Sequence, residues 1–194
     1  MRLKELVHFI HTEHLRRIVV TGPPCSGTTL AAYVLANELE SCFIHEDYFG
    51  KRDLKGFLEH VSHKSRFVCQ GSSLAEYLSW LPEDILIIVM CRPLKDILSW
   101  QRWRGYTPPH EQVRVLADLK LFDMEKPIAW ILYQYIERII SRTRRVEYLD
   151  YDSFVEHPAF LEPDLQKLLI PPQIMLNKKL PMTKTFIKEK CRAR

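Results

Sequence analysis

Short apolar runs, many of them β-branched, mark the strands that this sequence predicts. Five runs are assigned as strands: 18–21, 42–45, 66–69, 85–90 and 145–149. The run at 85–90 shows no alternation of apolar and polar residues, which indicates a strand buried on both faces. Apolar residues at helical spacing lie around these runs and predict helices: 3–15, 28–36, 52–62, 73–80, 93–103 and 127–142.

Strand and helix alternate along the chain, which predicts an α/β fold. We expect a three-layer domain with a mainly parallel sheet of about five strands and helices on both faces. This domain is assigned to residues 1–170, with a short N-terminal helix at 3–15 and a lid-like segment at about 100–112.

A basic tail follows the predicted domain. Residues 171–194 contain seven Lys or Arg residues and one Glu, whereas the whole chain has a net charge of +4. The rest of the chain is therefore slightly acidic. Such a tail could contact nucleic acid, but a solvated, frayed terminus is the favoured interpretation.

The composition excludes two classes of protein and indicates a compartment. Of the 194 residues, 46% are hydrophobic, too many for a chain that cannot build a core. No apolar run reaches the ~18 residues of a membrane span, so we expect no membrane partner. The five cysteines form no CxxC pair, which favours reduced thiols and a cytoplasmic location.

The most informative segment is a glycine-containing loop between the first strand and the next helix. It reads Gly22-x-x-x-x-Gly27-Thr28-Thr29 and includes Ser26. Glycines let successive backbone N–H groups turn toward an anion, and a helix that begins there adds its dipole. We therefore expect Gly22, Ser26, Gly27, Thr28 and Thr29 to bind a phosphate. Thr29 stands where a hydroxyl would also ligate Mg²⁺.

This segment, 22–31, resembles the start of small P-loop metabolite kinases of the uridine kinase and nicotinamide riboside kinase type. The likeness continues in order through 44–49, 67–71, 102–109 and 146–150. Two charged residues of that family are replaced here. Thr28 stands where the kinases carry the loop lysine, and Gln70 stands where their third strand ends in an acid.

The kinase resemblance implies a fold, an activity and roles for particular residues. It implies a P-loop NTPase-like domain that moves the γ-phosphate of ATP, with Mg²⁺, to a small hydroxylated metabolite such as a nucleoside or riboside. Loss of the lysine would impair that activity. Asp47 would act as a base or Mg²⁺ ligand, with the adjacent Glu46 as a competing candidate and a turn cap as the alternative role of Asp47.

Arginines would supply the missing positive charge in that interpretation. Arg102 and Arg104 lie in the lid-like segment, and Arg92 directly follows the fourth strand, so each could reach the anion. The alternative for any one of them is a solvated helix face. Trp100 and Trp103 are expected to pack rather than to stack on a base.

A second resemblance explains the absent lysine directly. Residues 26–29 resemble the phosphosulfate loop of sulfotransferases, which have Ser-Gly-Thr-Thr and no lysine after the glycine. Residues 88–99 are similar to the element in which those enzymes place Arg, Asp and Ser for the 3′-phosphate of the sulfate donor, and 148–158 resembles their YEDLxxxP element. Two positions depart from that pattern: Cys25 replaces a basic residue, and Ser99 comes one position early.

A third interpretation belongs to another class of protein. Because the loop lysine and the acid at Gln70 are both absent, the fold could persist as a non-catalytic P-loop binding module. From the sequence, the kinase interpretation ranks first and the sulfotransferase interpretation second. The identity of the small-molecule substrate is set by pocket shape and not by these motifs.

Overall fold

A computed structural model describes residues 1–46, 54–106, 126–154 and 157 of the chain. Within these ranges it contains five strands: β1 Arg17–Thr21, β2 Cys42–Ile44, β3 Phe67–Gln70, β4 Ile85–Cys91 and β5 Val146–Asp150. All four neighbouring pairs are parallel, and the strand order is β2-β3-β1-β4-β5. The predicted α/β fold with a parallel sheet of about five strands is confirmed.

Helices connect these strands. The α-helices in the described ranges are α1 Leu3–Thr12, α2 Thr28–Glu38, α3 Leu54–Val61, α4 Leu94–Trp103 and α5 Ile128–Arg138. Three segments are 3₁₀-helices: Ser72–Trp80, Ile140–Arg142 and Tyr151–Phe154. The helix predicted at 73–80 is thus a tighter helix that starts with a bond from the Leu74 N–H to the Gly71 carbonyl.

Each face of the sheet carries its own apolar core, because successive strand residues point to opposite sides. Val19 of β1 packs on the face covered by α3, the first 3₁₀-helix and α5. Its neighbours Ile18 and Val20 pack on the face covered by α1 and α2. The sheet therefore lies between two helical layers, as predicted.

The register of the central strands sets the position of the glycine-containing loop. Val20 of β1 is level with Gln70 of β3, and Thr21 is level with Val89 of β4. The Thr21 hydroxyl donates to the Gly71 carbonyl at 3.1 Å, which ties the ends of β1 and β3 together. Residues that follow the three strands therefore meet at one edge, where parallel α/β sheets bind ligands.

Some of the predicted features lie outside the described residues. These are Asp47, the part of the lid-like segment from 107 onward, and the tail 171–194. The cysteines at 25, 42, 69 and 91 are free thiols. Within the described ranges, no helix combines the length and the apolar character needed to cross a membrane.

Candidate functional site: an anion-binding loop

The loop after β1 has a backbone that only glycine adopts freely at two positions. Gly22 has φ of 146° and Gly27 has φ of 100°. A Cβ on Gly22 would lie 2.9 Å from the Ser26 Oγ, and one on Gly27 would lie 2.7 Å from the Tyr151 ring. Both glycines are therefore required by conformation and by close packing. Cys25 also has a left-handed φ of 73°, which a non-glycine residue adopts at some cost.

Helix α2 presents unbonded N–H groups directly after this loop. The first backbone bond into its N-terminal turn runs from the Ala31 N–H to the Gly27 carbonyl at 3.0 Å. Within the described part of the chain, the N–H groups of Thr28, Thr29 and Leu30 have no acceptor. Free donors at a helix N-terminus attract an anion, and the helix dipole adds to that attraction.

The side chains of the loop differ in what they offer a ligand. Ser26 and Thr28 are buried, and the Ser26 Oγ has no hydrogen-bond partner among the described residues. Thr29 is partly exposed. The position where metabolite kinases carry their lysine thus holds a threonine that is only 5% exposed. The loop itself provides amide donors and a hydroxyl but no cation.

Arg92 brings a cation to the loop from the end of β4. Its Nη1 donates to the Cys25 carbonyl at 3.1 Å, and its guanidinium carbon lies 4.2 Å from the centre of the Tyr151 ring. Its backbone N–H donates to the Tyr133 hydroxyl, which in turn donates to the Met90 carbonyl at 2.7 Å. Burial raises the pKa of Tyr133, so this hydroxyl stays protonated at neutral pH. Hydrogen bonds therefore hold both the backbone and the guanidinium of Arg92.

Arg104 adds a second positive charge near the same loop. Its guanidinium carbon lies 5.6 Å from the Trp100 ring centre, and Arg92 lies 5.7 Å from the same ring. Burial raises the pKa of the Cys25 thiol, while the charges of Arg104 and Arg92 oppose that rise. Arg92 therefore contacts the loop, and the charge of Arg104 acts on Cys25 from nearby. Arg102 and Arg104 are both exposed.

The tryptophans of α4 pack as the sequence predicted. The rings of Trp100 and Trp103 meet edge to face with their centres 5.3 Å apart. Beside them, the buried Gln101 donates its amide Nε2 to the Pro24 carbonyl at 2.8 Å. Helix α4 thus contacts the loop through Gln101, and the ring of Trp100 on the same helix faces Arg92.

The opposite side of the loop is acidic and polar. The Gln70 Oε1 accepts from the Glu46 N–H at 3.4 Å, and its Nε2 donates to the Ser72 Oγ at 2.7 Å. The Ser72 hydroxyl donates to the Glu46 carboxylate at 3.1 Å. The pKa of Cys69 is raised well above its usual range by burial and then by the charge of Glu46. A carboxylate therefore stands at the ends of β2 and β3.

The last residues of the two strands beside β1 carry no carboxylate that could hold a magnesium ion. These strands, β3 and β4, end in Gln70 and Cys91, neither of which carries a carboxylate. Mg²⁺ in phosphoryl-transfer sites is held by a carboxylate together with a loop hydroxyl such as that of Thr29. Among the described residues there is also no group of three or more His, Cys, Asp or Glu side chains that could hold a metal.

The predicted partnership of Arg92 and Ser99 is not seen in the described contacts. Arg92 contacts Cys25, Tyr151, Trp100 and Tyr133, whereas Ser99 is exposed on α4. The structure brings Arg92 to the loop and leaves Ser99 open to solvent.

Sequence reasoning missed three residues that build this site: Gln101, Tyr133 and Tyr151. Each acts through a contact distant in sequence, with a backbone carbonyl or with Arg92, so no local motif marks it. For Tyr151 a signal existed, since it lies in the segment that resembles the YEDLxxxP element.

Comparison of this chain with protein-family models, with curated proteins and with solved structures finds no match.

Proposed function

We propose that this protein transfers a sulfuryl group from a 3′-phosphoadenosine sulfate donor to a hydroxyl group of a small molecule. One observation carries the proposal: the cation at the loop is Arg92 from the end of β4, in contact with the Cys25 carbonyl. The loop itself has a buried threonine at the position of the kinase lysine. The sulfotransferase resemblance likewise implies a loop without a lysine after the second glycine.

The charge of the transferred group supports this choice. A sulfuryl group carries less negative charge than a phosphoryl group, so its transfer needs fewer cations and no bound metal. The free N–H groups of α2, the helix dipole and Arg92 provide a modest positive potential. The neutral Gln70 and Cys91 at the ends of the flanking strands fit such a metal-independent transfer.

The proposed reaction uses both sides of the loop. The loop amides and Arg92 bind the phosphate groups of the donor and stabilise the leaving adenosine 3′,5′-bisphosphate. The acceptor hydroxyl oxygen forms a bond to sulfur while the bond from sulfur to the phosphate oxygen breaks, and the electron pair leaves with the bisphosphate. The acceptor's proton passes to a base, and Glu46 is the described carboxylate on the acceptor side.

A second candidate function is phosphoryl transfer from ATP with Mg²⁺ to a nucleoside or riboside, because Arg104 lies near the loop at the end of α4. Its charge opposes the rise in the Cys25 pKa, as expected of an arginine that could clamp phosphate. Asp47 would be the base in that reaction. A Thr28→Lys variant tests this candidate: new stabilisation by ATP–Mg²⁺ would favour an impaired kinase, and no such gain would count against it.

A non-catalytic binding module would have a loop closed on itself, whereas the first N–H groups of α2 have no acceptor in the described ranges.

We place the transferase in the cytoplasm, since its five cysteines form no CxxC pair.

Thermal unfolding with two ligands tests the proposal. Adenosine 3′,5′-bisphosphate at ~100 times its dissociation constant is expected to stabilise the protein by ~2.7 kcal/mol. ATP–Mg²⁺ is expected to stabilise it much less. Stabilisation by ATP–Mg²⁺ alone would reverse the order of the two candidates, and stabilisation by neither ligand would contradict both.

A further inference from the structure

Gln101 is one of the few polar side chains that the structure buries. The buried polar residues in the described ranges are Thr21, Ser26, Thr28, Gln70 and Gln101. Gln101 lies on α4, and its amide Nε2 donates to the Pro24 carbonyl at 2.8 Å, across 77 residues of sequence. We propose that Gln101 is a positioning residue that orients the loop for anion binding. This inference rests on the proposed function in that it requires the loop to bind an anion.

Because the peptide bond is planar, a hydrogen bond to the Pro24 carbonyl also fixes the direction of the Cys25 N–H. In a trans peptide, the carbonyl of one residue and the N–H of the next point in opposite directions. Gln101 holds the Pro24 carbonyl toward α4, so the Cys25 N–H is directed away from α4. Without the bond, this peptide unit could rotate, and the Cys25 N–H would lose its fixed direction.

The next peptide unit is held from the same side. Arg92, which precedes α4, donates to the Cys25 carbonyl at 3.1 Å. Two successive loop carbonyls are thus bonded to one strand–helix unit. Cys25 itself has a left-handed φ of 73°, which is unfavourable for a non-glycine residue. The two bonds explain how the loop maintains this conformation without a glycine at position 25.

A left-handed residue beside right-handed ones turns neighbouring N–H groups toward a common point, and such a concave backbone binds anions. Ser26 N–H is already used, because it donates to the Pro23 carbonyl at 3.0 Å. The Ser26 N–H is therefore not available to a ligand. The direction of the Cys25 N–H matters because this group joins the N–H groups of α2 in binding the anion. Gln101 acts on the anion through the backbone and not by contact.

The experiment measures the affinity of the full-length chain for adenosine 3′,5′-bisphosphate by calorimetry. Gln101→Met removes the donor and keeps the size of the side chain. We expect an affinity about tenfold weaker than that of the wild type, the effect of one lost hydrogen bond that leaves a partly buried carbonyl unpaired. Gln134→Met is the matched control, because Gln134 bonds Glu137 on its own helix, α5. It should bind the bisphosphate with wild-type affinity.

A pH-dependent variant separates positioning from general destabilisation. In Gln101→Glu, an ionised carboxylate cannot donate to the Pro24 carbonyl, whereas a protonated carboxyl can. The affinity of this variant relative to wild type at the same pH should therefore be low at pH 8 and recover toward pH 5. At pH 5, Gln101→Glu should also bind the bisphosphate more tightly than Gln101→Met, which has no donor to restore. Loss of the negative charge alone would make these two variants equal.

Each outcome is decisive. Equal affinities of wild type and Gln101→Met would overturn the inference while leaving the proposed function intact. An equally low relative affinity of Gln101→Glu at both pH values would also overturn it. If the wild type binds neither adenosine 3′,5′-bisphosphate nor ATP–Mg²⁺, the inference and the proposed function both fail.

Discussion

The two sides of the glycine-containing loop differ in charge and in how they contact it. On the β4 side, Arg92 and Gln101 donate to two successive loop carbonyls, and Tyr151 packs against Gly27. On the β3 side, Glu46 takes part in a hydrogen-bonded network with Ser72 and Gln70. One side brings positive charge to the loop, and the other brings a carboxylate to the ends of β2 and β3.

Under the proposed function, this difference separates two tasks along one sheet edge. Anion binding needs cations and N–H donors that remain fixed when the ligand arrives. Proton removal from an acceptor needs a carboxylate that is not neutralised by those cations. The loop follows β1, between the arginine on the β4 side and the carboxylate on the β3 side. Substitutions on the β4 side and on the β3 side should therefore have different effects.

The largest expected effect is on the free energy of unfolding. It comes from replacing Gly27 of the loop and is compared with replacement of Gly71 after β3. Gly27→Ala would bring a Cβ to 2.7 Å from the Tyr151 ring at φ of 100°, which adds backbone strain to a steric clash. We expect a loss of about 2–5 kcal/mol in the free energy of unfolding. On the β3 side, a Cβ on Gly71 would lie 3.0 Å from the Val19 side chain, without a left-handed φ. Gly71→Ala should cost distinctly less.

Urea unfolding of the two alanine variants measures this difference. Gly105→Ala serves as a control for strain alone, because Gly105 has φ of 60° and no atom within 4 Å of an added Cβ. If Gly27→Ala were no more destabilising than Gly105→Ala, the close packing of Tyr151 on the loop would be wrong.

The next largest effect concerns the cation of the β4 side. Arg92→Met removes a guanidinium that we propose binds the donor's phosphate. Affinity for adenosine 3′,5′-bisphosphate should fall roughly 10- to 100-fold, the range for a hydrogen bond to a charged group. Lys95→Met, an exposed charge on α4, controls for the loss of one positive charge. Equal losses in both variants would indicate nonspecific electrostatics.

On the β3 side, Glu46→Gln should leave the affinity for adenosine 3′,5′-bisphosphate within about twofold of wild type, since the carboxylate is assigned to the acceptor and not to the donor. Calorimetric titration of the variant beside Arg92→Met checks this directly. A loss as large as that of Arg92→Met would remove the distinction between the two sides.

Much of the fold was predictable because it depends on local patterns. Unbroken apolar runs such as 85–90 identify strands that are covered on both faces, and all five predicted strands exist with ends shifted by one residue at most. The strand order was not predictable in the same way. It depends on which strands pair across long separations, such as β1 with β4, and no local pattern encodes that pairing.

The site was predictable in part. Gly22 and Gly27 are marked by their spacing, and the structure shows why glycine is needed at both. Gln101 and Tyr133 could not be predicted, since each bonds a backbone carbonyl that lies more than 40 residues away in sequence. A glutamine on a helix carries no signal of such a contact until the fold is known.

A further, modest effect is expected on the reactivity of Cys25. Burial raises the pKa of this thiol, so the reactive thiolate forms only at alkaline pH, and the charge of Arg104 partly opposes this rise. Arg104→Gln should raise the pKa further and slow alkylation of Cys25 about two- to fivefold at pH 8, the size expected for an exposed charge. Peptide-level mass spectrometry distinguishes Cys25 from the exposed Cys42. An unchanged alkylation rate in the variant would place Arg104 away from Cys25.

The central claim is that the loop and Arg92 together bind the phosphates of a sulfate donor. Calorimetric titration of the wild-type chain with adenosine 3′,5′-bisphosphate, and separately with ATP–Mg²⁺, tests it most directly. The account predicts saturable one-to-one binding of the bisphosphate and much weaker binding of ATP–Mg²⁺. Tight binding of ATP–Mg²⁺ with no heat from the bisphosphate would contradict it.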